Sequence, residues 1–152
     1  MRRAVLPLLA AGLLLPAAAG MEEKARERLM LVTDRLVAVG EEMVGEPISG
    51  TVALEDTVQV SVSLDTSYSY HMHIWTNSTF NILEFWMETP SGEIAELAEG
   101  DHTTLSIYPD TAGEYSLNMV LHMGDYADSA GYAAALFHSP RVQVSRPSSE
   151  DS

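Results

Sequence analysis

The sequence predicts a mainly β protein: an antiparallel β-sandwich or jelly roll of about seven to nine short strands, preceded by one amphipathic helix. Three observations carry this expectation. Apolar and polar side chains alternate with a period of two after residue 48. Clusters of Gly, Pro, Asn, Asp and Ser interrupt the alternation at strand-length intervals, and a segment with helical spacing stands in front of it.

The N-terminal segment reads as an export signal. Met1, Arg2 and Arg3 form a short basic region, Ala4 to Leu15 is apolar, and Pro16-Ala17-Ala18-Ala19-Gly20 offers small residues for cleavage after Ala19 or Gly20. The apolar run is shorter than the roughly 20 residues a spanning helix needs. It also contains Pro7 and is followed by Glu22, Glu23, Lys24 and Arg26. The expectation is a secreted or periplasmic protein with a signal peptide over residues 1–20 and no membrane insertion after cleavage. With no cysteine there is no lipoprotein anchor, disulfide, thiolate zinc site, iron–sulfur cluster or covalent haem.

Residues 21–45 follow as an amphipathic helix. Leu29, Val32, Leu36, Val39 and Met43 recur at 3-4-3-4 spacing, and Met30, Val37 and Val44 widen the stripe. Glu22 and Arg26 stand at i, i+4. Gly45-Glu46-Pro47 ends the helix, since proline has no amide proton to continue it. The stripe either packs on the following domain or mediates self-association through residues 21–44.

The β-sandwich domain is expected over residues 48–146. Val58, Val60, Val62 and Leu64 face one way and Gln59, Ser61 and Ser63 the other. After a turn at Asp65-Thr66-Ser67, Tyr68, Tyr70, Met72 and Ile74 share one face of the next strand, and Ser69, His71, His73 and Trp75 the opposite one. Thr76-Asn77-Ser78-Thr79 is a turn that contains an N-glycosylation sequon. Phe80 to Glu88 is apolar and aromatic and runs into the Thr89-Pro90-Ser91-Gly92 turn. Further strands are expected at Glu93 to Ala98, Thr103 to Tyr108, Glu114 to Met123, Gly131 to His138 and Arg141 to Val144. Tyr115, Leu117, Met119, Leu121 and Met123 should line the core, and residues 147–152 form a polar, disordered tail.

Charge bounds the partners. Eight basic residues against 22 acidic give a net charge of −14, and no lysine or arginine lies between Arg35 and Arg141. Such a field repels nucleic acid and anionic membrane and favours cations or basic proteins.

The stretch "NILEFWMETPSGEIAELAEGDHTTLSIYPDTAGEYSLNMVL", residues 81–121, resembles the central part of the bacterial pre-peptidase C-terminal domain, and the similarity extends over about residues 48–138. Glu84 takes the place of that family's later aspartate, Pro90-Ser91-Gly92 matches its turn, and Gly113-Glu114-Tyr115 matches its Gly-x-Tyr. Ile82 stands where the earlier aspartate would be. The resemblance implies a secreted accessory β-sandwich, often attached to extracellular proteases and itself non-catalytic.

Two candidate sites emerge. His71 and His73, two apart on a strand, share a face about 7 Å apart, with Trp75 beside them. They form either an exposed ligand-binding face (His71, His73, Trp75) or two ligands of a metal site completed by His122 and Glu84, for which copper, zinc or calcium would be the cofactor. No other cofactor is implied. Met72, Met87, Met119 and Met123 invite comparison with copper carriers, yet Met72, Met119 and Met123 fall on core faces. The loop Asp125-Tyr126-Ala127-Asp128 lacks the alternating ligands of a calcium loop. Glu84 and Glu88 stand about 13 Å apart on one face, too far for a glycosidase pair. No Gly-x-Ser-x-Gly elbow or phosphate-binding glycine loop is present. The expected function is therefore a non-catalytic secreted or periplasmic binding module for a protein, glycan or surface ligand. The alternatives are an extracytoplasmic metal-binding protein and a helix-mediated assembly protein.

Overall fold

In the computed structural model, backbone is described for residues 2–124 and 128–141, and side chains for residues 20–124 and 128–141. The strand expected at Arg141 to Val144 has no strand geometry at Arg141, and its remainder, the 147–152 tail and most of the Asp125–Asp128 loop lie outside the described residues.

Among the described residues one helix, α1 (Arg2–Ala38), precedes nine strands: β1 (Glu42–Met43), β2 (Ile48–Ala53), β3 (Thr57–Leu64), β4 (Tyr68–Thr76), β5 (Ile82–Glu88), β6 (Ile94–Gly100), β7 (His102–Ile107), β8 (Gly113–Met123) and β9 (Ser129–Pro140). Every pairing between named strands is antiparallel. The first sheet runs β1-β9-β4-β7, with β2 sharing the edge of β9 that β1 also uses; the second runs β3-β8-β5-β6. The sandwich expected from the period-two pattern is the fold of this chain.

The core lies between the sheets. From the first come Tyr70, Met72, Ile74, Leu105, Ile107, Ala134 and Leu136, and from the second Leu83, Phe85, Met87, Tyr115, Leu117, Met119 and Leu121. These are the residues whose alternation made the strands legible, because period-two side chains reach one face of a pleated strand.

A third layer covers only the first sheet. Ala25 and Leu29 of α1 pack on Ala133, Ala135 and Phe137 of β9, with Leu36, Met43 and Trp75 at the margin. Strand β9 is thus buried on both faces, which explains its continuous rather than alternating apolar run. Alanines there keep the helix close to the sheet. At Gly131 the approach is closer still: a Cβ would overlap the Met21 carbonyl.

Helix α1 ends at Ala38, earlier than the Val44 suggested by the apolar stripe. Gly40 adopts a φ of 94°, suited to glycine beyond a helix end, and Glu42–Met43 turns into strand pairing with His138 and Phe137. Val39, past the helix end, is 77% exposed, and Met30 and Val37, within α1 but off its packed face, are 53% exposed each. The edge of β9 that β2 leaves free takes Glu42 and Met43 into the sheet, and the strand ladder overrides the helical spacing. Two strand limits also differ. Phe80 sits in the turn before β5 and is exposed, and Met123, past the register shift between Ile82 and Leu83, is exposed rather than core.

Candidate functional site

The two sheets present very different outer surfaces. On the first, the expected face of His71, His73 and Trp75 lies beneath or beside α1 and is occupied by the protein's own groups. Trp75 stacks on His102 at 4.1 Å between ring centroids, and the Arg28 guanidinium of α1 sits over the indole at 4.9 Å. Arg28 also donates to the Thr76 carbonyl at 2.6 Å and to Asp101 Oδ2 at 2.9 Å. Burial tends to raise the Asp101 carboxyl's pKa, but hydrogen bonds from His102 and Arg28 outweigh it and hold the group below its ordinary range.

His73 meets Phe137 edge-on and pairs through Nδ1 with Thr104 at 3.0 Å, while His71 pairs with Ser106 at 3.2 Å. Burial, with the neighbouring His71 charge, pushes His73 below its ordinary 6.5; Glu41 opposes this more weakly.

The four residues expected to share a metal do not converge. His71 and His73 face outward from the first sheet, whereas His122 and Glu84 face outward from the second, so the core separates the pairs. Among the described residues no three His, Asp or Glu side chains group closely enough to hold a metal ion. His122 and Glu84 do meet, at 3.1 Å, and Glu55 lies 3.8 Å from the other ring nitrogen. The hydrogen bond to Glu84 raises the His122 pKa above 6.5. The sequon asparagine is also engaged: Asn77 Oδ1 accepts from the Gly131 backbone at 2.8 Å and from Asn81 at 3.0 Å.

Among the described residues no such layer lies on the outer face of the second sheet. Cross-strand register sets Gln59, Asn118, Trp86 and Leu97 in one row across β3, β8, β5 and β6. A second row holds Thr57, Val120, Glu84 and Glu99, and a third brings Ser61, Ser116, Glu88 and Ile94 together. Neighbours in such rows stand about 5 Å apart at Cβ. Trp86 is half-buried at the centre, Leu97 and Ile94 are 56% and 61% exposed, and Asn118 is buried between Gln59 and the indole. Trp86 Nε1 donates to Glu88 Oε1 at 3.1 Å, which orients the ring and leaves the second Glu88 oxygen as an acceptor. The surface continues over the sandwich edge at Ile94 into a cleft of about 460 Å³ lined by Glu96, Ile107, Tyr108 and Asp110.

The sequence reading singled out Trp75 and passed over Trp86. The signal that separates them is long-range: both sit half-buried on outward-facing positions, and only the docking of α1 decides which one another part of the chain engages. Chemically, the open face offers an aromatic plane, aliphatic contact and hydrogen-bond acceptors, the equipment of a recognition surface.

No family model matches this chain, and no curated protein matches it. Solved structures to which it is similar include that of Aeromonas hydrophila PliG, a periplasmic lysozyme inhibitor of g-type lysozyme. That likeness has a TM-score of 0.48 and 13% identity, over 66% of this chain and 90% of that one. The carbohydrate-binding module CBM36, in complex with calcium and xylotriose, matches with a TM-score of 0.34 and 11% identity over 66% and 94% of the two chains. A family two carbohydrate esterase from Cellvibrio japonicus matches at 0.37 and 8% identity, over 66% of this chain and 32% of that one. Among the described residues no helix is long and apolar enough to cross a membrane.

Proposed function

We propose that this protein is a non-catalytic extracytoplasmic binding module that engages its ligand through the outer face of the β3-β8-β5-β6 sheet. The observation that carries the reading is the asymmetry of the sandwich. One outer face is packed by α1, whose Arg28 engages Trp75, while the other keeps a half-buried Trp86 and the exposed Leu97 and Ile94 among Glu84, Glu88 and Glu99. Exposed apolar groups framed by polar ones mark interaction surfaces. Residues 1–20 serve as the export signal in this reading, on the strength of Arg2, Arg3 and the apolar run to Leu15. The resemblance to the pre-peptidase C-terminal domain belongs to the same proposal, with Glu84 and the Pro90-Ser91-Gly92 turn as its anchors.

Amide chemical shifts of the labelled protein, titrated separately with ribonuclease A, chitotetraose and calcium chloride, test the location. At least one ligand should move outward-facing residues of β5, β6 and β8 together. Shifts confined to the helix-covered sheet would overturn the assignment.

A further inference from the structure

We propose that the open face receives an arginine side chain from a cationic protein partner, the guanidinium lying flat on the Trp86 indole with its N–H groups on Glu84 or Glu88. This rests on the reading of that face as the binding surface and adds the chemistry of what it receives.

The molecule holds its own precedent. On the covered sheet, Arg28 lies 4.9 Å over Trp75 while donating to Asp101 at 2.9 Å and to the Thr76 carbonyl at 2.6 Å. An indole plane, a carboxylate and a further acceptor thus grip one guanidinium. On the open sheet the same elements recur: Trp86, the carboxylates at Glu84 and Glu88 two positions to either side, and Glu99 opposite Glu84. Residues two apart on a strand stand about 7 Å from each other, within reach of a guanidinium centred on the ring. Among the described residues no arginine is positioned to fill this second clamp. Among the described residues Lys24, Arg26, Arg28 and Arg35 lie on α1, which packs on the other sheet, and Arg141 follows β9, its backbone bonded to Ser67.

Charge selects the occupant. A flat neutral sugar would also stack on Trp86, but it would leave Glu88 and Glu99 to be desolvated without a cation, which is costly, whereas Glu84 already has His122 at 3.1 Å on one oxygen. A cation relieves that cost, and the planar fork of arginine matches both the ring and a carboxylate where lysine matches only the charge. A second copy of this chain fits poorly, since its net charge of −14 repels and its helical basic residues are interleaved with Glu22, Glu23, Glu27 and Asp34.

The two tryptophans provide the test, because their indole N–H resonances report on the two faces separately. Titration with octa-arginine and octa-lysine, equal in charge, should shift the Trp86 signal and leave Trp75 unmoved. Octa-arginine should bind about fivefold more tightly than octa-lysine. Trp86→Ala and the bulkier Trp86→Leu should both remove that preference, and Glu84→Gln with Glu88→Gln should weaken both peptides about tenfold. Equal affinities that ignore Trp86 substitution would reduce the interaction to net charge and overturn the proposal. A Trp86 shift with chitotetraose and none with octa-arginine would also overturn it while leaving the binding face in place. Silence of Trp86 toward every ligand would remove both.

Discussion

Trp75 and Trp86 occupy equivalent positions on opposite sides of one sandwich, each outward-facing on an inner strand of its sheet. One is held between Arg28 and His102; among the described residues the other has only its own sheet around it. The difference lies in α1, which packs on the first sheet and not on the second. An aromatic residue on an outer β face is therefore structural or available for recognition according to what the rest of the chain lays over it, and residue type alone does not decide.

The comparison can be broken first at the helix. Leu29→Ala, which empties a fully buried position between α1 and β9, should lower stability by about 2–5 kcal/mol in urea unfolding. Leu31→Ala, at 67% exposure on the same helix, should change it by less than about 0.5 kcal/mol. Equal effects would mean that the helix does not pack as described. Next in size, Arg28→Met removes the guanidinium over Trp75 and should cost about 1–3 kcal/mol. The emission of Trp75 should shift to the red, read in a Trp86→Phe background, while that of Trp86, read in a Trp75→Phe background, stays fixed.

The two faces should also titrate in opposite senses. His73, lowered by burial, contributes stability in its neutral form: that contribution is full above pH 6.5 and is lost as pH falls through its depressed folded value. His122, raised chiefly by its hydrogen bond to Glu84, contributes below pH 6.5 and loses that contribution as pH rises through its elevated folded value. Histidine proton resonances followed against pH should place His73 below and His122 above 6.5, and Glu84→Gln should bring His122 back toward it. The smallest effect concerns the overall field: added sodium chloride should raise the melting temperature modestly by screening the repulsion of a chain at −14.

Much of the fold was legible in local patterns. Val58 to Leu64 and Tyr115 to Leu121 alternate because each strand has one face in the core, and the Pro90-Ser91-Gly92 turn, with Gly92 at a φ of 88°, ends β5 where the residue types said it would. The end of α1 was not legible. Met43 continues a helical spacing perfectly, yet an unfilled stretch of β9 edge ninety residues away in sequence takes it as a strand. The surroundings of the expected binding face were hidden for a similar reason. His71, His73 and Trp75 announce themselves by type and spacing, but whether they meet solvent depends on Arg28 and Leu29, whose docking no local period encodes. The proposed metal set failed on topology, because His71 and His122 sit on strands assigned to different sheets and a pleat pattern does not say which sheet a strand joins.

The contact between Met21 and Gly131 has a kinetic side. It joins the earliest described element to the latest across more than a hundred residues, and β9 must already lie between β4 and β2 before the helix has a surface to rest on. Loop closure on that scale slows folding. The amphipathic segment therefore waits, its apolar stripe unshielded, until the final strand arrives, and a chain delayed at that stage is the form most exposed to aggregation or to a chaperone's grasp.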